Sequence, residues 1–131
     1  SLIESVGDQA SQIAEHSIWL KEASMPENII TSMKSLQRHV SEAYQTAVTA
    51  FFSRSVSLAE SVRDKKEEVK KLCEEAESAC ATLNAETYQR IISVISLMNR
   101  VYDHSVDISD LTIPKIDRKM PQDYRESDML L

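Results

Sequence analysis

The feature that most constrains this chain is the recurrence of apolar residues at steps of three and four along its first 110 or so positions. In the first stretch the apolar or small positions are Ile3, Val6, Ala10, Ile13, Ser17 and Leu20. Such steps place side chains on one face of an α-helix, whereas a β-strand needs alternation at every second residue. The pattern predicts an all-α chain whose helices pack through these faces.

Three further stretches continue the same periodicity. The second stretch carries Ile29, Met33, Leu36, Val40, Ala43 and Ala47, and we expect Phe51 and Phe52 to end its core-facing stripe. The third stretch carries Val56, Ala59, Val62, Val69, Leu72, Ala76 and Ala79. The fourth carries Ile91, Ile92, Val94, Ile95, Leu97, Met98, Val101 and Tyr102, a band wide enough to be buried against two neighbours.

Helix-starting and helix-breaking residues separate these stretches. Pro26 suits a first helical turn, Ser53 and Ser55 are potential caps, and Asn84 precedes the fourth stretch. We therefore expect helices over 2–23, 27–52, 56–83 and 85–110, with a break at 53–55. Short connections make consecutive helices antiparallel, so residues 1–110 are predicted to form a bundle. The periodicity then stops, and we expect residues 111–131 to be an extended or disordered tail.

Composition excludes several other classes. One Gly and three Pro in 131 residues are too few for the turns of a β-sandwich or barrel. A formal net charge of −6, without a basic cluster, disfavours a nucleic-acid partner. No stretch resembles a membrane span or a secretory leader, so we expect a cytoplasmic protein without direct membrane insertion. Cys73 and Cys80 are too far apart on a helix for a disulfide and are predicted to be reduced.

Two stretches are copies of one helix motif. Residues 3–15 align with residues 98–110. The matched pairs are Val6 with Val101, Asp8 with Asp103, Ile13 with Ile108, and Glu15 with Asp110. On a helix, the acidic and polar members of each copy form a narrow stripe beside the apolar face: Glu4, Asp8, Ser11 and Glu15 in the first, Asn99, Asp103 and Asp110 in the second.

These copies resemble the PhoU family of phosphate-uptake regulators, whose domains are tandem three-helix halves ending in a motif similar to E-R-I-G-D-H-A-V-N-I-A-E. The first copy matches at Glu4, Gly7, Asp8, Ala10, Ile13, Ala14 and Glu15. The second matches at Arg100, Asp103, His104, Val106 and Ile108, with Val101 in place of Ile. The resemblance implies that the first helix ends one half and that residues 27–110 form a complete second half.

The family's E(D)-x-x-x-D pairs are associated with metal ions, so the resemblance implies a divalent or ferric ion held by Glu4, Asp8 and Asp103. Two carboxylates four residues apart on a helix stand about 6 Å apart and repel unless a cation lies between them. The alternative interpretation is a solvated acidic face. In the second copy, Asn99 replaces the acid and Tyr102 replaces the glycine, which weakens a full cluster there.

The resemblance also implies a function. It points to a non-catalytic regulator of phosphate transport or phosphate signalling that binds a membrane phosphate transporter component or a sensor kinase, and it leaves a homodimer open. The sequence has no triad-like grouping, Gly-rich turn or H-x-x-x-H motif that would indicate an enzyme. Two alternatives stay open: a regulatory module of another ion transporter or channel, and a metal-dependent helical hydrolase.

Overall fold

A computed structural model of the protein describes residues 25–114 together with Glu4 and Asp8. Residues 25–114 form four α-helices: α1 over Glu27–Ser53, α2 over Val56–Arg63, α3 over Lys66–Ala79, and α4 over Ala85–Thr112. These described residues contain no strand, and the all-α fold class is confirmed. Apart from Glu4 and Asp8, which are helical and exposed, the predicted helix over 2–23 lies outside the described residues, and so do residues 115–131 of the predicted tail. The prediction that the tail begins at residue 111 is wrong, because α4 continues to Thr112 and Ile113 is buried.

The predicted break after α1 is present and has a clear backbone cause. Arg54 adopts the left-handed conformation, with φ of 54°, and its N–H donates to the carbonyl of Ala50. Ser55 then caps α2, because its hydroxyl oxygen accepts the N–H of Leu58 at 3.2 Å. Two residues therefore suffice to end one helix and start the next in a new direction.

The prediction of one helix over 56–83 is wrong. The segment is interrupted at Asp64 and Lys65, between α2 and α3. In an unbroken helix the carbonyl of Val62 would accept the N–H of residue 66. Here it accepts the N–H of Lys65 at 3.3 Å and the hydroxyl of Tyr102 at 2.7 Å. A side chain from α4 thus occupies a position in the hydrogen-bond ladder, a recognised cause of helix interruption.

The same segment also ends earlier than predicted, at Ala79 rather than residue 83. The N–H groups of Cys80, Ala81 and Leu83 each donate to the carbonyl three residues earlier. Such tight turns terminate the helix, and Asn84 then caps α4 by accepting the N–H of Thr87 at 2.9 Å.

The predicted core faces are largely confirmed. The buried residues of α1 are Ile29, Met33, Leu36, Val40, Ala43, Ala47 and Ala50. Those of α2 and α3 are Ala59, Val62, Val69 and Ala76. Those of α4 include Ile91, Val94, Ile95, Leu97, Met98, Val101, Tyr102 and Ile108. The helix α1 contacts each of the other three, and α4 contacts both α2 and α3. The wide apolar band of α4 is therefore buried on more than one side, as predicted.

Phe51 and Phe52 do not lie in the core, contrary to prediction. They are 43% and 74% exposed, and Ala50 occupies the buried position instead. The reason is helical phase, because residues 51 and 52 lie about 100° and 200° around the helix from Ala50. Two consecutive aromatic residues at a helix end suggest a core by residue type, but in this last turn only the position of Ala50 faces inward.

A small second core closes one end of the bundle. Ala50, Ala59 and Ile113 are buried there, with Val56 packed against them. The end of α1, the start of α2 and the end of α4 therefore meet at the same end. Within the described residues, no helix is both long enough and apolar enough to cross a lipid bilayer.

We predict that Ile95→Asp unfolds the domain. Ile95 is buried in the main core, where an unpaired carboxylate costs several kcal/mol against a total stability of about 5–15 kcal/mol. The matched control is Lys70→Ala, at an exposed position of α3, which should leave the melting temperature nearly unchanged. Thermal melts followed by circular dichroism measure both, and equal melting temperatures for Ile95→Asp and the parent would contradict the core described above.

Candidate functional site

The second copy of the helix motif lies on α4, and the helix sorts its residues by face. Val101, Tyr102 and Ile108 are buried, whereas Asp103 and Asn99 are exposed. The acidic stripe beside an apolar face, predicted from the repeat, is therefore present in this copy.

Asp103 lies on the side of α4 that faces α3. Its charge contributes to the raised pKa of the Cys73 thiol on α3, across the interface between the two helices. Among the described residues, however, no three His, Cys, Asp or Glu side chains are grouped so that they could hold a metal ion. The metal site predicted at Glu4, Asp8 and Asp103 stays a prediction, because most of the first motif copy lies outside the described residues.

Tyr102 stands where the family motif has a glycine, and it has a structural task of its own. The side chain is 2% exposed, and its hydroxyl donates to the Val62 carbonyl. Burial is the main cause that raises the pKa of Tyr102 to about 12, with smaller contributions from the charges of Asp103 and Asp64. A buried phenol that donates a hydrogen bond favours its neutral form. The same hydrogen bond links α4 to the break between α2 and α3.

The two cysteines are free thiols, as predicted. Burial is the main cause that raises the pKa of Cys73 to about 11, and the carboxylates of Glu77, Asp103 and Glu74 add to it. Burial also raises the pKa of Cys80. Since the thiolate is the reactive form, neither residue has the environment of a nucleophilic cysteine.

A polar contact between α1 and α3 was not predicted from the sequence. His39 on α1 places Nδ1 2.8 Å from the Ser35 carbonyl and Nε2 3.0 Å from Glu68 Oε1 on α3. Both partners accept hydrogen bonds, so the two bonds exist together when both ring nitrogens carry protons. No sequence motif surrounds His39, and only the packing of α1 on α3 reveals this pairing.

Glu68 also bonds to Lys65, whose Nζ lies 3.2 Å from Oε2. The Lys65 contact is the main cause that holds the pKa of Glu68 below its ordinary value, and His39 adds to it. Because the pKa of the Glu68 carboxyl is lowered in the folded protein, its contacts with Lys65 and His39 stabilise the fold above pH 4.5, the ordinary pKa. That stabilisation is lost as the pH falls through the lowered pKa.

A groove of mixed charge runs between α2 and α4. It has a volume of about 500 Å³ and is lined by Glu60, Arg63, Asp64, Lys66, Val106 and Asp110. Arg63 Nε lies 3.7 Å from Asp110 Oδ1 across the groove. Because Arg63 and Asp110 pair with each other, part of the charge of the groove is already neutralised. The groove therefore has no strong preference for an anionic or a cationic ligand.

The end of the bundle carries a surface that we call the end patch, formed by Phe51, Phe52, Arg54, Leu111 and Thr112. These residues line a hollow of about 440 Å³. The rings of Phe51 and Phe52 contact each other edge-to-face, with centroids 5.5 Å apart. Sequence reasoning missed this surface because it assigned both rings to the core; the helical phase of Ala47 and Ala50 is the clue that could have revealed it.

Comparison with known families matches residues 33–112 to the PhoU domain. The match covers more than half of the chain and extends from the first turns of α1 to the end of α4. No curated protein and no solved structure matches the chain.

We predict that Tyr102→Phe destabilises the protein by about 0.5–1.5 kcal/mol, because it removes one hydrogen bond from the Val62 carbonyl, which keeps the N–H of Lys65 as a partner. The control is Tyr88→Phe, since Tyr88 is only partly buried. Urea unfolding at neutral pH measures both changes. Equal losses in the two variants would show that the Tyr102 hydroxyl has no special role.

The raised pKa of Tyr102 gives a second readout. The unfolded tyrosine loses its proton near pH 10, whereas the folded one keeps it until about pH 12. The contribution of Tyr102 to stability should therefore be fully present below pH 10 and be lost as the pH rises from 10 to about 12. Tyr102→Phe should remove this part of the decrease in unfolding free energy. Unfolding free energies measured from pH 9 to 12 test this; an identical slope in the parent and in Tyr102→Phe would contradict it.

Proposed function

Since this chain belongs to the PhoU domain family, we propose that it regulates phosphate transport or phosphate signalling by binding another protein. The partner is a membrane phosphate transporter component or a sensor kinase, and the chain catalyses no reaction itself. The observation that carries the proposal is the family match over residues 33–112, which includes nearly all of the four helices.

The surface chemistry supports binding as the mode of action. Large apolar side chains are exposed at one end of the bundle, where a protein partner gains by covering them. The two thiols have raised pKa values and so do not supply a nucleophile. The free thiols also fit a reducing compartment, and we propose that the protein is cytoplasmic.

The experiment that tests this function uses the full chain and purified partners. The full chain is immobilised, and the ATPase component of a phosphate transporter and the cytoplasmic part of a phosphate-responsive sensor kinase are passed over it. The control is the equivalent ATPase component of a transporter for a different ion. We expect saturable binding to one of the phosphate proteins and none to the control.

Two outcomes would contradict the proposal. Binding to the control component alone would favour the regulator of another ion transporter. Binding to none of the three proteins would remove the phosphate assignment altogether.

We further propose that the acidic stripes of the two motif copies bind a divalent or ferric ion through Glu4, Asp8 and Asp103. The support is the motif spacing at Glu4 and Asp8, the helical and exposed state of both residues, and the exposure of Asp103 on α4. When bound, such an ion would neutralise carboxylates that otherwise repel one another.

If the ion binds, Asp8→Asn should lower the melting temperature in the presence of metal, and chelation should abolish the difference. A ligand bound only by the folded state stabilises it by about 2.7 kcal/mol at a hundredfold excess over Kd. Asp103→Asn is measured beside it, with Glu75→Gln, an exposed carboxylate outside the motif, as the control. Elemental analysis that finds no metal, together with Asp8→Asn melts that do not depend on chelator, would remove these residues from the metal proposal.

A further inference from the structure

The end patch has the features of a protein-binding surface rather than of scattered surface apolar residues. Phe52 is 74% exposed and Leu111 is 65% exposed, although they come from different helices and line the same hollow. A concave apolar surface built from two elements marks an interaction site more strongly than single exposed side chains do.

One charged group in the same hollow indicates what the occupant carries. The Arg54 guanidinium lines the hollow, and no ion pair joins it to another residue in 25–114. A guanidinium at the edge of an apolar surface suits a carboxylate, which can accept two parallel hydrogen bonds from it.

A second copy of this chain is a poor occupant. In an isologous contact the end patch faces a copy of itself. The residues that line the hollow include no Asp or Glu, so a second copy offers Arg54 no carboxylate there. The occupant must instead bring the opposite charge.

We propose that the end patch is the docking surface for the partner of the proposed function, on which this inference rests. It binds a segment of that partner that presents large apolar side chains next to a carboxylate. The apolar side chains cover Phe52 and Leu111, and the carboxylate pairs with Arg54.

The test measures the affinity of the full chain for the phosphate transporter ATPase component or the sensor kinase fragment, whichever binds in the experiment above. Phe52→Ser and Leu111→Ser should each weaken binding by about tenfold or more. The matched control is Leu58→Ser, because Leu58 is exposed but does not line the hollow; its affinity should stay within about twofold of the parent. Melting temperatures near that of the parent confirm that each variant is folded, as exposed positions allow.

Arg54→Asn tests the charge separately. Asn tolerates the left-handed conformation that Arg54 adopts, so the substitution removes the charge without disturbing the turn. Binding should weaken, and its dependence on salt should become smaller, because one ion pair across the interface is lost. Arg54→Lys, which keeps a positive charge, should restore most of the salt dependence.

The outcomes separate this inference from the function itself. If the parent binds and the variants at Phe52, Leu111 and Arg54 bind equally well, the end patch is not the docking surface, although the function stands. If the parent binds neither protein, the proposed function fails and this inference fails with it. Sedimentation velocity covers the remaining case: a dimer of the parent that Phe52→Ser dissociates would show that a second copy is the occupant and would overturn the proposal.

Discussion

The fold depends on the width of the apolar band of α4. A band this wide cannot be covered by one neighbouring helix, so α1 packs against one side of it and α2 with α3 against another. Because α4 packs closely against its neighbours, the Tyr102 hydroxyl reaches the Val62 carbonyl near the end of α2. The break between α2 and α3 is therefore a consequence of tertiary packing, and the local sequence at Asp64 and Lys65 does not explain it alone.

Sequence periodicity recovered the features that arise from local physics. The inward faces of α1 and α4, the cap at Asn84 and the turn at Arg54 and Ser55 follow from spacing and from capping chemistry. The predictions failed where a contact from a distant part of the chain decides the outcome, as at Val62. They also failed for Phe51 and Phe52, because their aromatic side chains suggest a core position whereas their helical phase directs them to the surface.

The candidate site shows the same division. The acidic stripe of α4 could be predicted, because it depends only on spacing along one helix. The end patch could not, because it joins the last residues of α1 to the last residues of α4, far apart in sequence. The pairing of His39 with Glu68 was equally inaccessible, since the two residues are 29 positions apart and neither lies in a motif. Surfaces made by several elements require the tertiary structure before their chemistry can be interpreted.

The state of the two cysteines has a practical consequence for spectroscopy. A thiol with a pKa of about 11 holds almost no thiolate at neutral pH, and Cys80 is buried as well. Maleimide and iodoacetamide reagents react with thiolate, so an additional cysteine placed on the exposed surface would be labelled much faster than either native residue. Fluorophores or spin labels can thus be attached at chosen positions of the bundle while Cys73 and Cys80 remain in place, and distances between helices can be followed in an otherwise native protein.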